Sequence, residues 1–333
     1  MNEWHLIETL AEGSSTVVST GGTVRAWTSP GRLSPAPGIR VEPLVEAARA
    51  GRRREILEAQ SQKGERRRYR LEAFPVLGPS GDAHGVQLWI GDAEVEPSAP
   101  RIASGISWLL ERLMIAQTLE ASMMSGVLPE DHVAERTPAE YYAKAVKFDE
   151  SESLFALAFN PQPGSRWDAD MSVLHADGRI MRWHCWARAR TEPGQAGLRL
   201  LWHDVTDTVE PRRPTLAELG MQEVMRGAGI YTALFETELG VLTMWLAEAA
   251  PWVHWRGIEG GDRIIHPDDQ GVLELARSRF NAGSSEPVEA VARLRAGDDE
   301  WARSHLRISP YPGGLGNRLA IVQISRTPEA TDG

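Results

Sequence analysis

The chain of 333 residues has a single cysteine, Cys185. One thiol cannot form an intramolecular disulfide, and a zinc site built from several cysteines is excluded as well. A membrane-spanning helix needs about 20 apolar residues in succession, and the best candidate, 102–116, is interrupted by Glu111 and Arg112. The first residues lack the basic segment and apolar core of a secretory signal. We therefore expect a cytoplasmic protein.

The sequence also lacks the common catalytic motifs. It contains no glycine-rich phosphate loop, no Gly-x-Ser-x-Gly nucleophile turn and no His-Glu-x-x-His metal helix. The segment 259–262, Glu-Gly-Gly-Asp, is only superficially similar to a cyclase motif, because it precedes a predicted helix inside one domain. A net charge of −10 argues against a general nucleic-acid role. We expect no enzymatic activity, no metal site and no cofactor, and neither a nucleic-acid nor a membrane partner.

What the sequence does contain is a long repeat. Three strand-rich regions each end in an apolar strand followed by polar residues, at 86–92, 198–206 and 319–325. These endings begin roughly 110–120 residues apart, which is the length of a small domain. The repeat predicts three domains, at 1–100, 127–210 and 215–328, followed by a flexible tail at 329–333.

Turn and helix signals organise these domains. Gly21-Gly22 predicts a hairpin in the first domain. In the middle domain Thr137, followed by Pro138 and Glu140, predicts a capped helix. No opening hairpin precedes its helices, so we expect this copy to be truncated or divergent. The segment 101–126 keeps an apolar stripe at helical spacing and predicts a long connecting helix.

Strand alternation sorts one segment of the middle domain into two faces. The predicted core face has Met181, Trp183, Cys185 and Ala187, and the other has Arg182, His184, Trp186 and Arg188. In the third domain Trp301 and Arg303 lie in the same way opposite Leu306. Faces that mix aromatic and cationic side chains suit a packed interface between domains or chains. The candidate partner-binding residues on these faces are Trp186, Arg188, Trp301 and Arg303.

Three short motifs resemble those of PAS domains. Residues 264–269, Ile-Ile-His-Pro-Asp-Asp, resemble the step before the long PAS helix. Residues 174–179, completed by Trp183, resemble a PAS hairpin, and residues 202–207 resemble the segment that ends a PAS domain. The whole chain resembles a small actinobacterial family of three PAS- or GAF-like domains without an attached effector. The resemblance implies an α+β fold of three PAS-like domains, the first PAS-like or GAF-like, each with a central antiparallel sheet and flanking helices.

The resemblance also suggests where a ligand would bind. PAS domains wall their cavity with helices in the region that here contains Trp245, Trp252, His254 and Trp255. A small apolar or aromatic ligand is expected there, with core packing as the alternative. Trp183 and Cys185 are further candidates on the predicted core face of the middle domain. Cys185 lacks the Asn-Cys-Arg context of flavin-adduct photosensors, so light sensing is not expected and a buried, inert thiol is the better interpretation.

A second candidate surface is basic. Between Arg49 and Arg70 basic residues outnumber acidic ones, and Arg66, Arg68 and Arg70 fall on one face of a predicted strand. One interpretation is a solvated sheet edge that discourages aggregation. The other is a docking surface for an acidic or phosphorylated partner.

These observations together favour a non-enzymatic, cytoplasmic sensory or signalling protein. It would bind a small ligand or a protein partner through its PAS-like domains and relay the change by domain packing, without an output domain of its own. The alternative is a ligand-free scaffold for protein–protein interaction. The partner is expected to be a signalling protein of unknown identity, and a homodimer is left open.

Overall fold

The computed structural model describes residues 2–62, 66–258, 263–298, 300–312 and 318–327. Within these ranges the chain is an α+β protein with three antiparallel sheets, of six, seven and five strands, and six short α-helices. Its internal contacts divide it into two compact units. Unit 1 consists of residues 1–111, 116–135 and 145–213, and unit 2 of residues 112–115, 136–144 and 214–333. The predicted tail, 329–333, and the segment 259–262 lie outside the described residues.

The first sheet lies in unit 1. Its strands are β1 (Glu3–Glu8), β2 (Thr16–Thr20), β3 (Thr23–Thr28), β4 (Glu55–Gln60), β5 (Arg68–Leu77) and β6 (Ala83–Asp92). They pair in the order β3-β2-β1-β6-β5-β4. The hairpin predicted at Gly21-Gly22 is confirmed as β2–β3, and both glycines have the positive φ, 56° and 86°, that glycine adopts without strain. Helix α1 (Glu42–Gly51) buries Leu44 and Val45 in the core formed with the sheet.

The connecting helix predicted over 101–126 is wrong. The segment forms strand β7 (Ala103–Leu109), strand β8 (Met114–Gln117) and the short helix α2 (Leu119–Met124). Ile106 and Trp108, two residues apart, are both buried, which is the spacing of a strand. Gly105 allows this strand to lie close to the first sheet. A Cβ atom at this position would lie 2.6 Å from the carbonyl oxygen of Leu77, so only glycine allows the first sheet to approach so closely.

The second sheet contains these two strands and five more. The others are β9 (Glu135–Arg136), β10 (Ala145–Lys147), β11 (Arg166–Leu174), β12 (Ile180–Arg190) and β13 (Gly197–Asp204). The strand order is β10-β11-β12-β13-β7-β8-β9. The strand pair expected to be missing is therefore present as β7 and β8, and this copy is not truncated. Two short helices, α3 (Pro138–Tyr141) and α4 (Ser151–Phe159), follow β9 and β10, and the capping box predicted at Thr137 starts α3.

The third sheet lies in unit 2. Helix α5 (Leu216–Gly227) precedes β14 (Tyr231–Glu236) and β15 (Val241–Trp245), and helix α6 (Gly271–Asn281) precedes β16 (Val288–Arg295), β17 (Trp301–Pro310) and β18 (Leu319–Arg326). The order is β15-β14-β18-β17-β16. The helices that the PAS resemblance implies around Trp252 and Trp255 are not found, because residues 247–258 consist of turns and irregular chain. One side of the sheet and α6 share an apolar core that includes Phe235, Leu273 and Leu306.

All three sheets contain one five-strand arrangement. It reads β2-β1-β6-β5-β4 in the first sheet, β8-β7-β13-β12-β11 in the second and β15-β14-β18-β17-β16 in the third. In each, two opening strands are followed by a later meander of three, and the last strand returns to pair with the first. The repeat predicted from the strand endings is thus present as topology. The architecture is consistent with the PAS-like multidomain fold that was expected.

Candidate functional site

The tryptophan cluster predicted to bind a ligand packs against the core of the third sheet. The indole Nε1 of Trp252 donates to the hydroxyl of buried Ser304 at 3.0 Å, and its ring meets that of Tyr231 edge-on at 5.2 Å. The rings of Trp245 and Trp255 also meet edge-on, at 6.2 Å. These side chains are therefore fixed by neighbours in the same unit, as the packing alternative requires.

The backbone N–H of His254 is used as well, because it donates to the carbonyl oxygen of Arg295 at 2.8 Å. Beside Trp255 there is a narrow slot of about 20 Å³, bounded by Leu242 and Ile264. A volume of this size holds about one water molecule. Among the residues that the structure describes, this slot is far smaller than a typical small-molecule site.

A larger cavity lies on the opposite face of the third sheet. It is a groove of about 600 Å³ between α5 and the strands β14, β15 and β18. Thr232 and Gln323 line it, and they point away from the core because their chain neighbours Ala233 and Val322 belong to the core. Its volume lies in the range of small-molecule sites. Sequence reasoning missed this groove.

The groove is mainly apolar, with a polar floor and a charged rim. Its apolar lining consists of Leu219, Met221, Met225, Ile230, Tyr231, Leu246 and Ala247. Gln222, Thr232 and Gln323 supply neutral hydrogen-bonding groups. At the rim Arg226 donates to Glu223 at 2.6 Å, and this hydrogen bond raises the pKa of the guanidinium. The arrangement suits a molecule with an apolar body and few polar groups.

Helix α5 forms one wall of the groove, but its side chains are not buried there. A capping box starts the helix, in which the backbone N–H of Glu218 donates to the Thr215 hydroxyl at 3.2 Å. None of its twelve residues is buried, and Leu216 and Val224 are 88% and 68% exposed. A helix of this length is only marginally stable by itself. The sequence signal that could have revealed it is Thr215-x-x-Glu218 ahead of an apolar run.

The two faces predicted for β12 are found in the structure of unit 1. Trp186 is buried in an apolar cluster with Leu6 and Val18 of the first sheet. Arg188 donates through Nη2 to Oε1 of Glu8 at 2.7 Å, and Glu8 is fully buried. Both residues thus contact the first sheet of the same chain, as an interface between domains requires. Their binding to an external partner stays a prediction.

His184 lies on this face between two carboxylates. Its Nδ1 is 2.6 Å from Asp170 Oδ1, and its Nε2 is 3.4 Å from Asp168 Oδ2. Burial alone would lower the pKa of His184, but hydrogen bonds to Asp168 and Asp170 outweigh it and raise the pKa. Hydrogen bonding with His184 in turn lowers the pKa of Asp168. Arg182 binds Asp170 at 2.5 Å, so two cations and two anions balance when His184 is protonated.

Trp27 joins β3 of the first sheet to this cluster. Its indole Nε1 donates to Asp168 Oδ1 at 3.2 Å. The guanidinium carbons of Arg166 and Arg188 lie 5.1 and 4.8 Å from its ring centre, within the range of cation–π attraction. The cluster therefore ties the two sheets of unit 1 together through charge as well as apolar packing.

Trp183 and Cys185 occupy the other face of β12, as predicted. Trp183 is buried and packs its ring 6.0 Å from that of Trp202. Cys185 is fully buried, and burial raises the pKa of its thiol well above the usual value. A thiol in this state is a poor nucleophile. Neither residue lines either of the two cavities described above.

The predicted basic face on β5 is largely balanced by acids of the same chain. Arg68 binds Glu58 at 3.2 Å, and Arg70 binds Glu72 at 2.5 Å and Glu96 at 2.9 Å. Arg66 precedes the strand and is exposed. The three arginines thus differ in environment, and only Arg66 of the three makes no ion pair in the described part of the chain.

Trp301 and Arg303 lie on the outer side of β17. Arg303 is exposed, whereas the ring of Trp301 packs edge-on against His266 at 4.6 Å. His266 caps the turn that follows it, because its Nδ1 accepts from the backbone N–H of Asp268 at 3.2 Å. A hydrogen bond from Arg293 lowers the pKa of Asp269 to about 2. The His-Pro-Asp-Asp segment is therefore held by its own unit.

The class of fold is defined by three sheets that share one strand order. The third sheet also has a groove on its outer face. The family described as Rv3651-like, N-terminal, matches residues 3–99, and the Rv3651-like C-terminal domain matches residues 217–311. The two matches together cover more than half of the chain. The chain belongs to the Rv3651-like family.

A solved structure supports the fold over the full length. It is an uncharacterized protein from Mycobacterium tuberculosis, with a TM-score of 0.77 and 22% identity, covering 99% of this chain and 97% of the other. A sensory box histidine kinase/response regulator from Burkholderia thailandensis has a TM-score of 0.26 and 15% identity, over 38% of this chain and 90% of its own. This second likeness is too distant to carry an argument. No curated protein matches the chain. No helix in the described ranges is long and apolar enough to cross a membrane.

Proposed function

We propose that this protein is a non-enzymatic sensory or signalling protein built from three PAS-like domains. It responds to a small, mainly apolar molecule that binds in the groove between α5 and the third sheet. The strand order and the three sequence motifs support the PAS-like assignment. The observation that carries the proposal is the groove itself, with about 600 Å³ and a predominantly apolar lining.

The lining indicates the class of ligand. Leu219, Met225 and Leu246 would contact an apolar body, and each such side chain gains about 1.5–3 kcal/mol when it is removed from water. Gln222 and Gln323 offer neutral donors and acceptors that would orient one or two polar groups of the ligand. The only charges at the groove, Glu223, Arg226 and Glu248, lie close to one another at the rim. The proposed ligand is therefore neutral and elongated or flat.

The response follows from the weak packing of α5. Since none of its residues is buried, a ligand beneath it would supply the apolar contacts that stabilise the helix. The helix begins at Leu216, directly after the last segment of unit 1 ends at Arg213. Ordering of α5 would therefore change the segment that links the two units along the chain. This is the proposed signal.

Two variants on opposite sides of α5 test the site. Leu219→Asp places a charge in the groove lining, whereas Val224→Asp places it on the exposed side. With Nile red as a neutral apolar probe, we expect Leu219→Asp to lose most of the fluorescence gain and Val224→Asp to keep it. Native mass spectrometry of freshly purified protein should also show a bound small molecule. Equal loss in both variants, or no probe binding, would contradict the proposal.

The ligand-free scaffold is the second candidate, and the packed interior favours it. The slot beside Trp255 holds only about 20 Å³, and Trp186 is used as packing between two sheets. In a scaffold the groove would accept a protein segment instead of a small molecule. The native mass spectrum then shows the bare chain mass, and Nile red remains unbound in both α5 variants.

A further inference from the structure

The outer edge of the first sheet is an unprotected strand. β4 is the last strand in the sheet order, and its six residues pair with β5 in continuous register from Glu55–Ala73 to Gln60–Arg68, without a bulge. Proteins usually protect such edges with proline, lysine, a bulge or a covering element, because the free N–H and C=O groups accept another strand. β4 contains neither proline nor lysine, and no strand pairs with its outer side in the described part of the chain.

The same strand exposes apolar side chains on both faces. Ile56 is 48% and Leu57 36% exposed. Consecutive residues of a strand point to opposite faces of the sheet, so an added strand would find one apolar contact above the sheet and one below it. The two acids of β4 are already balanced, Glu55 by Arg53 at 2.8 Å and Glu58 by Arg68 at 3.2 Å.

Both ends of β4 carry arginines. Arg52 lies three residues before the strand, and Arg66 and Arg67 lie beside its end, where the carbonyl oxygen of Arg66 accepts from the Gln60 side chain at 3.0 Å. All three are exposed and make no ion pair within the ranges that the structure describes. The edge thus has exposed Ile56 and Leu57 beside an ion-paired Glu58 in its middle and is cationic at both ends, in a chain whose net charge is −10.

We propose that β4 binds an extended, acidic segment of another protein, which adds a seventh strand to the first sheet. Main-chain hydrogen bonds along β4 supply the affinity, and carboxylates at both ends of the segment pair with Arg52, Arg66 and Arg67. A second copy of this chain is a poor occupant. An antiparallel β4–β4 pair would bring the arginines at one end of each strand against those at the other end of its partner, and like charges in such positions repel.

The proposal is tested with synthetic peptides on the full chain. The probe has a Val-Thr repeat flanked by glutamates, one control has lysines in place of the glutamates, and another has prolines within the repeat. By fluorescence anisotropy we expect the acidic peptide to bind at least about tenfold more tightly than either control, since opposite charges and main-chain bonding both favour it. Hydrogen exchange should slow at the amides of β4.

The matched variants are the double reversal Arg66→Glu/Arg67→Glu and the single reversal Arg303→Glu. The double reversal should abolish the preference for the acidic peptide while its thermal unfolding is unchanged, because both arginines are exposed. Arg303→Glu removes an exposed arginine from the third sheet and should leave binding intact. Equal affinity for the three peptides, absence of binding, or protection outside β4 would overturn the proposal. Such a result would leave the groove beside α5 unaffected, because that site belongs to unit 2.

Discussion

Arg188, on a strand of the second sheet, donates at 2.7 Å to Glu8, whose carboxylate is fully buried in the first sheet. Glu8 also accepts from the Thr16 hydroxyl at 2.6 Å and from the backbone N–H of Leu10 at 2.9 Å. A buried ion that loses its partner costs about 3–5 kcal/mol. Arg188→Met should therefore lower the free energy of unfolding by about 3 kcal/mol or more in urea denaturation.

An exposed pair in the same unit provides the comparison. Arg212 binds Asp149 at 3.1 Å, and the two side chains are 61% and 39% exposed. Pairs of this kind contribute about 0–1 kcal/mol, so Arg212→Met should change the free energy of unfolding by less than about 1 kcal/mol. Similar losses for the two variants would show that the buried pair does not hold the sheets together.

Protonation of His184 makes the stability of unit 1 depend on pH, with a loss of stability toward alkaline pH. The pKa of His184 is raised above 6.5 by Asp168 and Asp170 in spite of its burial. Folded protein therefore keeps a proton that the unfolded chain loses, and the stability that this proton contributes is complete below pH 6.5 and disappears as pH rises through the folded pKa. His184→Gln should flatten the loss of stability that occurs as pH rises above about 6.5.

Urea denaturation at several pH values measures this slope, and NMR titration of the imidazole measures the pKa itself. Thr206→Ser serves as a neighbouring control, because it keeps the hydroxyl that accepts from the backbone N–H of Arg182 at 2.9 Å. A wild-type slope that is unchanged in His184→Gln would contradict the assignment of this histidine.

Two other buried histidines predict a loss of stability in acid. Burial lowers the pKa of His84 to about 4 and that of His203 to about 3. Both stay neutral while the unfolded chain takes up protons near pH 6.5, so stability falls as pH drops from about 6.5 toward those values. Each histidine contributes about 1.4 kcal/mol per pH unit in that window. His203→Gln should reduce the acid slope of the free energy of unfolding by this amount.

Local signals predicted the parts of the fold that depend on neighbouring residues. Gly21-Gly22 gave the correct hairpin because positive φ is a local requirement, and Thr137 gave the correct helix start because a capping box spans four residues. The two faces of β12 followed from alternation alone. The apolar endings predicted at 86–92, 198–206 and 319–325 correspond to β6, β13 and β18, to within a few residues at each end.

Features that depend on distant residues were missed. The apolar residues of 101–126 fit a helical stripe as well as a strand, and the strand is selected by pairing with β13, which lies far away in the sequence. The groove includes Gln323 of β18, which is far in the sequence from α5, β14 and the residues after β15 that form the rest of its lining. None of the twelve residues of α5 is buried, and the capping box at Thr215 was a local signal for the start of this helix.

Two glycine substitutions test the packing at Gly105 and in α5, and we expect them to change the stability of the protein in opposite directions. Gly105→Ala would place a Cβ atom 2.6 Å from the Leu77 carbonyl oxygen and 2.8 Å from the Gly78 Cα, both of them backbone atoms that cannot rotate away. Overpacking of this kind costs about 1–3 kcal/mol. Gly220 lies in α5, and no atom outside the helix's own backbone is within 4 Å of the position that a Cβ atom would take. Gly220→Ala should therefore stabilise the helix by about 0.5–1 kcal/mol. Thermal unfolding of the two variants against wild type measures both effects, and a harmless Gly105→Ala would show that glycine is not required where the two sheets approach each other.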